Sequence, residues 1–423
     1  MRKEIPILAA VLSLAALAPA HLKSGDAPSV RGIFTLDAVV AAGLENNPDL
    51  QSKREAVKSR KAAYEASRLL HNPTLGVETG EGRPRSSTES VRIGGVSLSQ
   101  PLENPVKRTH RIRAMESDWL AAEHDLHAEE AALVSEIKIL FARILHFRRL
   151  MDIARSDAAS LDDMLSLIRR RVDLGESREL EALKIEVEAL RAKNVLHRVE
   201  VDLQLAREAL NDFLGGVLPP EYETAGDLVY EPEDVDEAAL LTGAVLSHPL
   251  VLVKESETAA ARNRWSAVRW QRLPDPVLSG FAGEEMDGRK AGFGLSFEIP
   301  LWNFGSRETA EAAGLVLAAE NALQAVKIRV AADIRTRVAG LRLTARTLGL
   351  FLGGLLTQAD ESLRIAEVSY RQGELSLLDY LDSRRTHLSI LRDYEEALLQ
   401  WQADKAGLEK TLGIRTARGE TRP

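Results

Sequence analysis

Two carboxylates three residues apart, Asp379 and Asp382, sit in the stretch Gly-Glu-Leu-Ser-Leu-Leu-Asp-Tyr-Leu-Asp at Gly373 to Asp382, just past a glycine. On a helix, positions three apart share one side. Such a pair has two uses: acids in a first turn stabilise their own helix by about 0.3 to 1 kcal/mol each, and acids gathered from several chains attract cations. A second polar pair, His124 and His127, has the spacing to hold a metal from one helical face, but Glu123 and Asp125 beside it favour a solvated surface. His110, His146, His197 and His387 stand alone, and no cysteine accompanies Met115, Met151, Met164 and Met286, so no soft-ligand cluster exists for copper(I). The Gly-rich run at 80–89 lacks the Gly-Lys-Ser/Thr ending of a phosphate loop. No HExxH, GxSxG or Cys/His nucleophile pair occurs. The chain reads as non-enzymatic, with no cofactor and no bound metal.

The elements that position these residues are long. The chain has 423 residues, 45% hydrophobic but only 5% aromatic, rich in Ala, Leu, Glu, Arg and Lys, as long helices require. A net charge of -8 with mixed signs excludes a nucleic-acid footprint. Residues 1–20 read as a signal peptide: Arg2 and Lys3, an apolar run from Ile5 to Leu17, and the cleavage pattern Ala18-Pro19-Ala20. With no cysteine, neither a disulfide nor a lipid on an N-terminal cysteine is expected. After Ala20 no run of ~18 consecutive apolar residues is found, so a membrane crossing falls to strands.

Punctuation repeats at a fixed offset. Asn47-Pro48, Asn72-Pro73, Gln100-Pro101, Gly175 and Leu214-Gly215 recur in order as His248-Pro249, Asp275-Pro276, Ile299-Pro300, Gly373 and Leu412-Gly413. The last two offsets are both 198 (373 − 175 and 413 − 215), the mark of a tandem duplication. The expected boundaries are an N-terminal extension at 21–34, repeat 1 at 35–215, a surface linker at 216–242, repeat 2 at 243–413 and a tail at 414–423.

Each repeat opens with a helix stopped by X-Pro. A hairpin of two short alternating segments follows, at about 74–100 and 277–300. In the last segment Phe293, Leu295, Phe297 and Ile299 share one face. Asp287-Gly288 is a hairpin turn signal, and a change of phase at Gly94-Gly95 predicts a bulge. A helix of about 68 residues then spans on the order of 100 Å. It breaks at Gly175 or Gly373 and returns, with Leu180, Leu183, Val187 and Leu190 as the expected packing stripe of the first return helix and Leu378, Leu381, Leu388, Leu391 and Leu398 of the second.

Four strands cannot close a barrel, and open edges in hydrocarbon leave backbone groups unsatisfied. Three copies would supply 3 × 4 = 12 strands, about what a small solute-passing barrel needs. In this order and spacing, the motifs at 43–57 (GLENNPDLQSKREAV), 69–80 (LLHNPTLGVETG), 97–108 (SLSQPLENPVKR) and 370–388 (YRQGELSLLDYLDSRRTHL) resemble the TolC-type outer-membrane channels of tripartite efflux pumps, and most closely their CzcC-like heavy-metal branch.

The resemblance implies a mainly α fold with a β-barrel portion: a trimer with a 12-stranded outer-membrane barrel continued by a periplasmic α-helical tunnel. It implies a passive duct for heavy-metal cations, exported by its signal peptide to the outer membrane. The implied partners are a periplasmic adaptor and, through it, an inner-membrane transporter of the RND type. The adaptor would meet the two glycine turns, at Val172, Leu174, Gly175, Glu176 and Ser177 and at Arg371, Gly373, Glu374, Leu375 and Ser376. Asp379 and Asp382 match the acid rings that narrow the closed entrance, and the residues 198 positions earlier, Glu181 and Lys184, depart from that pattern. Tyr370 and Arg385 would lock the closed state across protomers. The competing readings are the same channel exporting drugs or proteins, and a soluble periplasmic coiled-coil scaffold or adaptor.

Overall fold

The computed structural model describes residues 32–82, 90–232, 235–285, 288–299 and 302–415. The signal peptide, residues 21–31, the turn regions 83–89 and 286–287, residues 233–234 and 300–301 and the tail from 416 lie outside the described residues. In chain order the elements are β1 (Gly32–Phe34), α1 (Leu36–Asn46), α2 (Pro48–Ser67), β2 (Thr74–Gly82), β3 (Val91–Pro101), α3 (Pro105–Asp173), α4 (Glu179–Phe213), β4 (Tyr222–Thr224), α5 (Glu237–Ser247), α6 (Pro249–Arg269), a single 3₁₀ turn (Trp270–Arg272), β5 (Val277–Glu285), β6 (Gly288–Ser296), α7 (Ser306–Leu350), a π turn (Phe351–Leu355), α8 (Leu356–Gln372) and α9 (Leu377–Thr411).

The two halves repeat at the level of hydrogen bonds. Asn47 and His248 each end one helix and cap the next, accepting from the amides of Leu50 and Leu250, with Pro48 and Pro249 in the first turn where a missing N–H costs nothing. At the far ends, Gly215 and Gly413 stop α4 and α9 in the left-handed region, at φ 82° and 72°. Each glycine abuts the proline of its own repeat: a Cβ on Gly413 would lie 3.0 Å from Pro249 Cδ. A helix break and a helix stop thus meet in both repeats.

α3 is one continuous helix of 69 residues, with Asn104 as its cap. Its counterpart in repeat 2 is not continuous. The sequence Phe-Leu-Gly-Gly-Leu makes a π turn in which Gly354 has φ 139°, a conformation only glycine accepts readily. The matching stretch of α3, around Arg155 and Ser156, has no break.

Three buried clusters hold the rod together. One surrounds Val39, Ile137, Ile144 and Leu210 of repeat 1, and another Val251, Ile334, Val338 and Trp401 of repeat 2. The third joins the repeats near their glycine turns, through Leu161, Ile168, Ile185, Tyr370 and Tyr380. The packing face of α4 differs from expectation. Ala182, Ile185, Ala189 and Ala192 are buried, whereas Leu180, Leu183, Val187 and Leu190 are all about half exposed or more. Small residues let α4 approach α3 closely, and the leucine stripe points elsewhere.

The segment 216–242, expected as a surface linker, takes part in the core. β4 pairs in parallel with β1, Gly32 facing Tyr222. Tyr222 is buried, its hydroxyl donates to the Arg207 carbonyl at 2.8 Å, and burial pushes that hydroxyl up to about 12. α5 starts within the same segment, at Glu237. Among the described residues, 237–272 comes nearest to a membrane-spanning helix, but His248-Pro249 splits it and α6 carries Lys254, Glu255 and Glu257.

The four hairpin strands form one antiparallel sheet in the order β2-β3-β5-β6, leaving β2 and β6 as edges. The register between β2 and β3 is unbroken from Thr74↔Ser99 to Gly82↔Val91, so the expected bulge at Gly94-Gly95 does not occur. Instead the two halves of β3 place their apolar residues on opposite faces. One face carries the rows Leu75, Leu98, Gly280, Phe293 and Val77, Val96, Ala282, Ala291; the other carries the row Gly76, Ser97, Phe281, Gly292. Through these rows one face is apolar and the other is small and polar save for Phe281, the pattern of strands between lipid and a watery lumen.

Candidate functional site: the paired hairpin tips

Both glycine turns are built alike. Gly175 and Gly373 adopt φ 76° and 80°. The next residues, Glu176 and Glu374, donate their amides back to Arg171 and Ser369 at 2.8 and 2.9 Å, closing the Schellman pattern that satisfies the last helical carbonyls. The two turns lie side by side: the Arg171 guanidinium donates to the Arg371 carbonyl at 2.7 Å. Val172, Leu174, Gly175, Glu176 and Ser177 therefore stand next to Arg371, Gly373, Glu374, Leu375 and Ser376, with Leu174 exposed.

The helices that leave the turns start differently. Ser376 caps α9, accepting from the Asp379 amide at 3.3 Å, while its hydroxyl donates to Asp379 Oδ2 at 2.6 Å. This reciprocal arrangement engages Asp379 in its own helix. α4 starts at Arg178 with no side-chain cap. Asp382 lies one turn further, exposed, on the side of α9 that also carries Leu378, Asp379 and Arg385. The opposite side buries Leu377, Tyr380, Leu381 and Arg384.

That buried side carries Tyr380 and Arg384, which the sequence motifs do not single out. Tyr380 stacks on Tyr370 with centroids 5.4 Å apart and planes 16° from parallel. Burial raises both phenols, and the nearby Glu181 charge raises Tyr370 further. Arg384 forms an ion pair with Asp157 of α3 with side chains only 6% and 12% exposed, and its guanidinium also reaches the Asp157 carbonyl at 3.3 Å. Burial pushes the Asp157 carboxyl up while Arg384 pulls it back down. The only sequence signal was the period of α9: Leu377, Tyr380, Leu381 and Arg384 share one helical face.

Arg385 donates to Glu188 of α4 at 2.6 Å, and Tyr370 lies inside the protomer against Tyr380. Both residues expected to act between protomers thus have partners within one. The rings of His124 and His127 meet edge to face at 6.3 Å, and burial holds His127 below its ordinary value. Among the described residues no group of three or more His, Asp or Glu is placed to hold a metal ion.

A rod of two duplicated helical hairpins, ending at one pole in paired glycine turns and at the other in a sheet with one apolar face, defines a subunit of a barrel-and-tunnel channel. The chain belongs to the outer membrane efflux protein family, whose model matches residues 39–216 and 240–414, one match per repeat. It is 23% identical over 418 residues to the solvent efflux pump outer membrane protein SrpC of Pseudomonas putida, covering 91% of this chain and 86% of that one. It is 21% identical over 288 residues to the outer membrane efflux protein BepC of Brucella suis, covering 66% of this chain and 62% of BepC, so this match spans less than two thirds of the relative's length. The fold is that of the solved structure of CusC, with a TM-score of 0.76 at 18% identity over 89% of this chain and 91% of that one. The family places the chain in the outer membrane, extending into the periplasm.

Proposed function

We propose that the protein is the passive exit duct of a tripartite efflux pump. It acts as a homotrimer whose sheets close a 12-stranded barrel and whose helical hairpins line a periplasmic tunnel. The observation that carries this reading is the four-stranded sheet with both edges unpaired and one face apolar. In hydrocarbon such a sheet is stable only when each edge finds another chain, β6 of one copy meeting β2 of the next. The exposed leucine stripe of α4 supports the same assembly, since a tunnel wall needs an apolar seam between copies. The paired tips would receive a periplasmic adaptor, which links the duct to an inner-membrane transporter of the RND type. Direction and energy come from these partners, and the duct itself performs no catalysis.

For cargo we infer heavy-metal cations, on the motif resemblance and on the exposed carboxylate of Asp382 at the tunnel entrance, where three copies would set a ring of charge. A second reading, apolar organic compounds, is favoured by the name of the solvent efflux relative. The test has two stages. Fractionation is expected to recover a detergent-resistant trimer in the outer membrane, and a soluble periplasmic monomer would refute the duct. A deletion strain is then grown on zinc, cobalt, cadmium, copper, toluene and several drugs. Sensitivity confined to organic compounds would refute the metal assignment and leave the duct standing.

A further inference from the structure

At the hairpin ends of the strands, remote from the helices, the apolar face of the sheet turns charged. Glu81 of β2 stands opposite Arg92 of β3, and Glu284 of β5 opposite Arg289 of β6, whose Nε donates to Glu284 Oε1 at 3.0 Å. Between these pairs Gly94 faces Glu284, so Arg92 lies one diagonal step from Glu284 on the same face. The signs therefore alternate from strand to strand: acid, base, acid, base. The row ends acidic at the β2 edge and basic at the β6 edge. The edge strands as a whole have the same bias, since β2 carries Glu78 and Glu81 and no base, and β6 carries Arg289 and Lys290 and no acid.

The duplication fixes what each edge would meet. Repeat 1 gives way to repeat 2 between β3 and β5, and repeat 2 gives way to repeat 1 of the next copy between β6 and β2. Glu81 and Glu284 are equivalent by the offset of Pro73 and Pro276 (284 − 81 = 276 − 73 = 203), and their cross-strand partners Arg92 and Arg289 are equivalent in turn. The pair Gly94↔Glu284 then becomes Ala291 opposite Glu81 of the next copy, with Arg289 in the diagonal place of Arg92. This register closes a barrel. Partners followed across the sheet from Thr74 are Ser99, Ser279 and Gly294, and the next is Glu78 of the following copy, a climb of 78 − 74 = 4 residues. Three copies climb 3 × 4 = 12 residues around 12 strands, which at about 3.3 Å per residue and about 4.8 Å per strand is a tilt of about 35°, as closed barrels require.

We propose that the row is a charge code for the seam: Arg289 of one copy pairs with Glu81 of the next, in one register, and completes a ring of alternating sign that selects a second copy of this chain, β6 edge to β2 edge. The inference rests on the channel reading and adds to it the register and the choice of edge. Exposed ion pairs stabilise little, so the row acts on partner choice: β2 against β2, or β6 against β6, would set like charges together. Because each repeat supplies one acid and one base, the alternation passes every seam unbroken.

The chain has no cysteine, so introduced pairs report the register directly. In this register Thr79 lies opposite Phe293 of the next copy, and Leu295 is one diagonal step away. Oxidation of the full chain in outer membranes is expected to join Thr79→Cys with Phe293→Cys several-fold faster than Thr79→Cys with Leu295→Cys, since directly opposite residues come within disulfide reach. Equal or reversed rates overturn the register. The code itself is tested by reversing the whole row, with Glu81→Arg, Arg92→Glu, Glu284→Arg and Arg289→Glu in one chain, which keeps every cross-strand pair within the chain. Reversed chains are expected to form trimers with one another. Co-expressed with differently tagged wild type, they should enter its trimers several-fold less often than a second wild-type chain does. Mixing as frequent as between wild-type chains, or reversed chains that form no trimer, overturns the code and spares the channel. Wild-type chains that form no trimer overturn both.

Discussion

Arg384 on α9 and Asp157 on α3, 227 residues apart in the chain, form an ion pair almost wholly out of water. This contact ties the second hairpin to the long helix of the first repeat just inside the paired tips. It is local to neither repeat: the position 198 residues before Arg384 is Glu186, which pairs instead with Arg169 of the same hairpin at 3.1 Å.

Removing one partner of that pair leaves a buried charge alone. Arg384→Leu is expected to destabilise the protein by about 3 to 5 kcal/mol, and Arg384→Leu with Asp157→Leu by much less, because the double change removes both desolvation costs. Urea unfolding followed by tryptophan emission measures both, and equal losses would show that the pair is not the source.

Asp379 and Asp382 are expected to separate in their effects. Ser376→Ala or Asp379→Ala should lower stability by about 1 kcal/mol through the lost cap. Asp382→Asn should leave the melting temperature unchanged yet reduce cation selectivity and block by polyvalent cations in planar bilayers. Unaltered conductance and block would confine both acids to the helix start.

Burial holds the imidazole of His248 below its ordinary value, and the charge of Asp333 opposes this less strongly. Protons then bind more readily to the unfolded chain. The contribution of His248 to stability is therefore full above the ordinary histidine value of about 6.5 and is lost as pH falls through the depressed folded value. Protonation would also end the cap, since Nδ1 must accept from the Leu250 amide. His248→Asn, which copies Asn47 of the first repeat, should retain the cap and flatten the melting temperature between pH 7 and 5, a range where His146, also buried and lowered, keeps a residual slope.

The adjacent glycines of the π turn should respond oppositely. Gly354→Ala forces a side chain into φ 139° and is expected to cost about 1 to 3 kcal/mol. Gly353 has no positive φ and open space around its Cα, so Gly353→Ala should be neutral or stabilise by about 0.5 to 1 kcal/mol. Thermal unfolding of the two variants side by side provides the check.

How far the sequence discloses this architecture depends on the range of the interaction. Glycines at positive φ and prolines after a helix cap write their geometry locally, so Gly175, Gly373 and the X-Pro breaks locate the tips and helix joints without a structure. Hydrophobic period, by contrast, does not say which surface covers a residue. Leu180 and Leu183 have the spacing of a packing stripe, yet Ala182 and Ile185 hold α4 to α3. The pairing of β3 with β5 and the union of Arg384 with Asp157 are long-range and leave no local pattern. Asp379 reads in the sequence as a first-turn carboxylate and as one half of an acid pair; its bond to Ser376 depends on a rotamer that sequence does not display.

The unpaired edges of β2 and β6 also bear on inheritance. A subunit damaged at its tip but sound in its strands would still be recruited by healthy neighbours and would spoil every ring it entered. A subunit with a ruined edge would be left out and would spoil none. Tip mutations should therefore be dominant over a wild-type copy of the gene, and edge-strand mutations recessive.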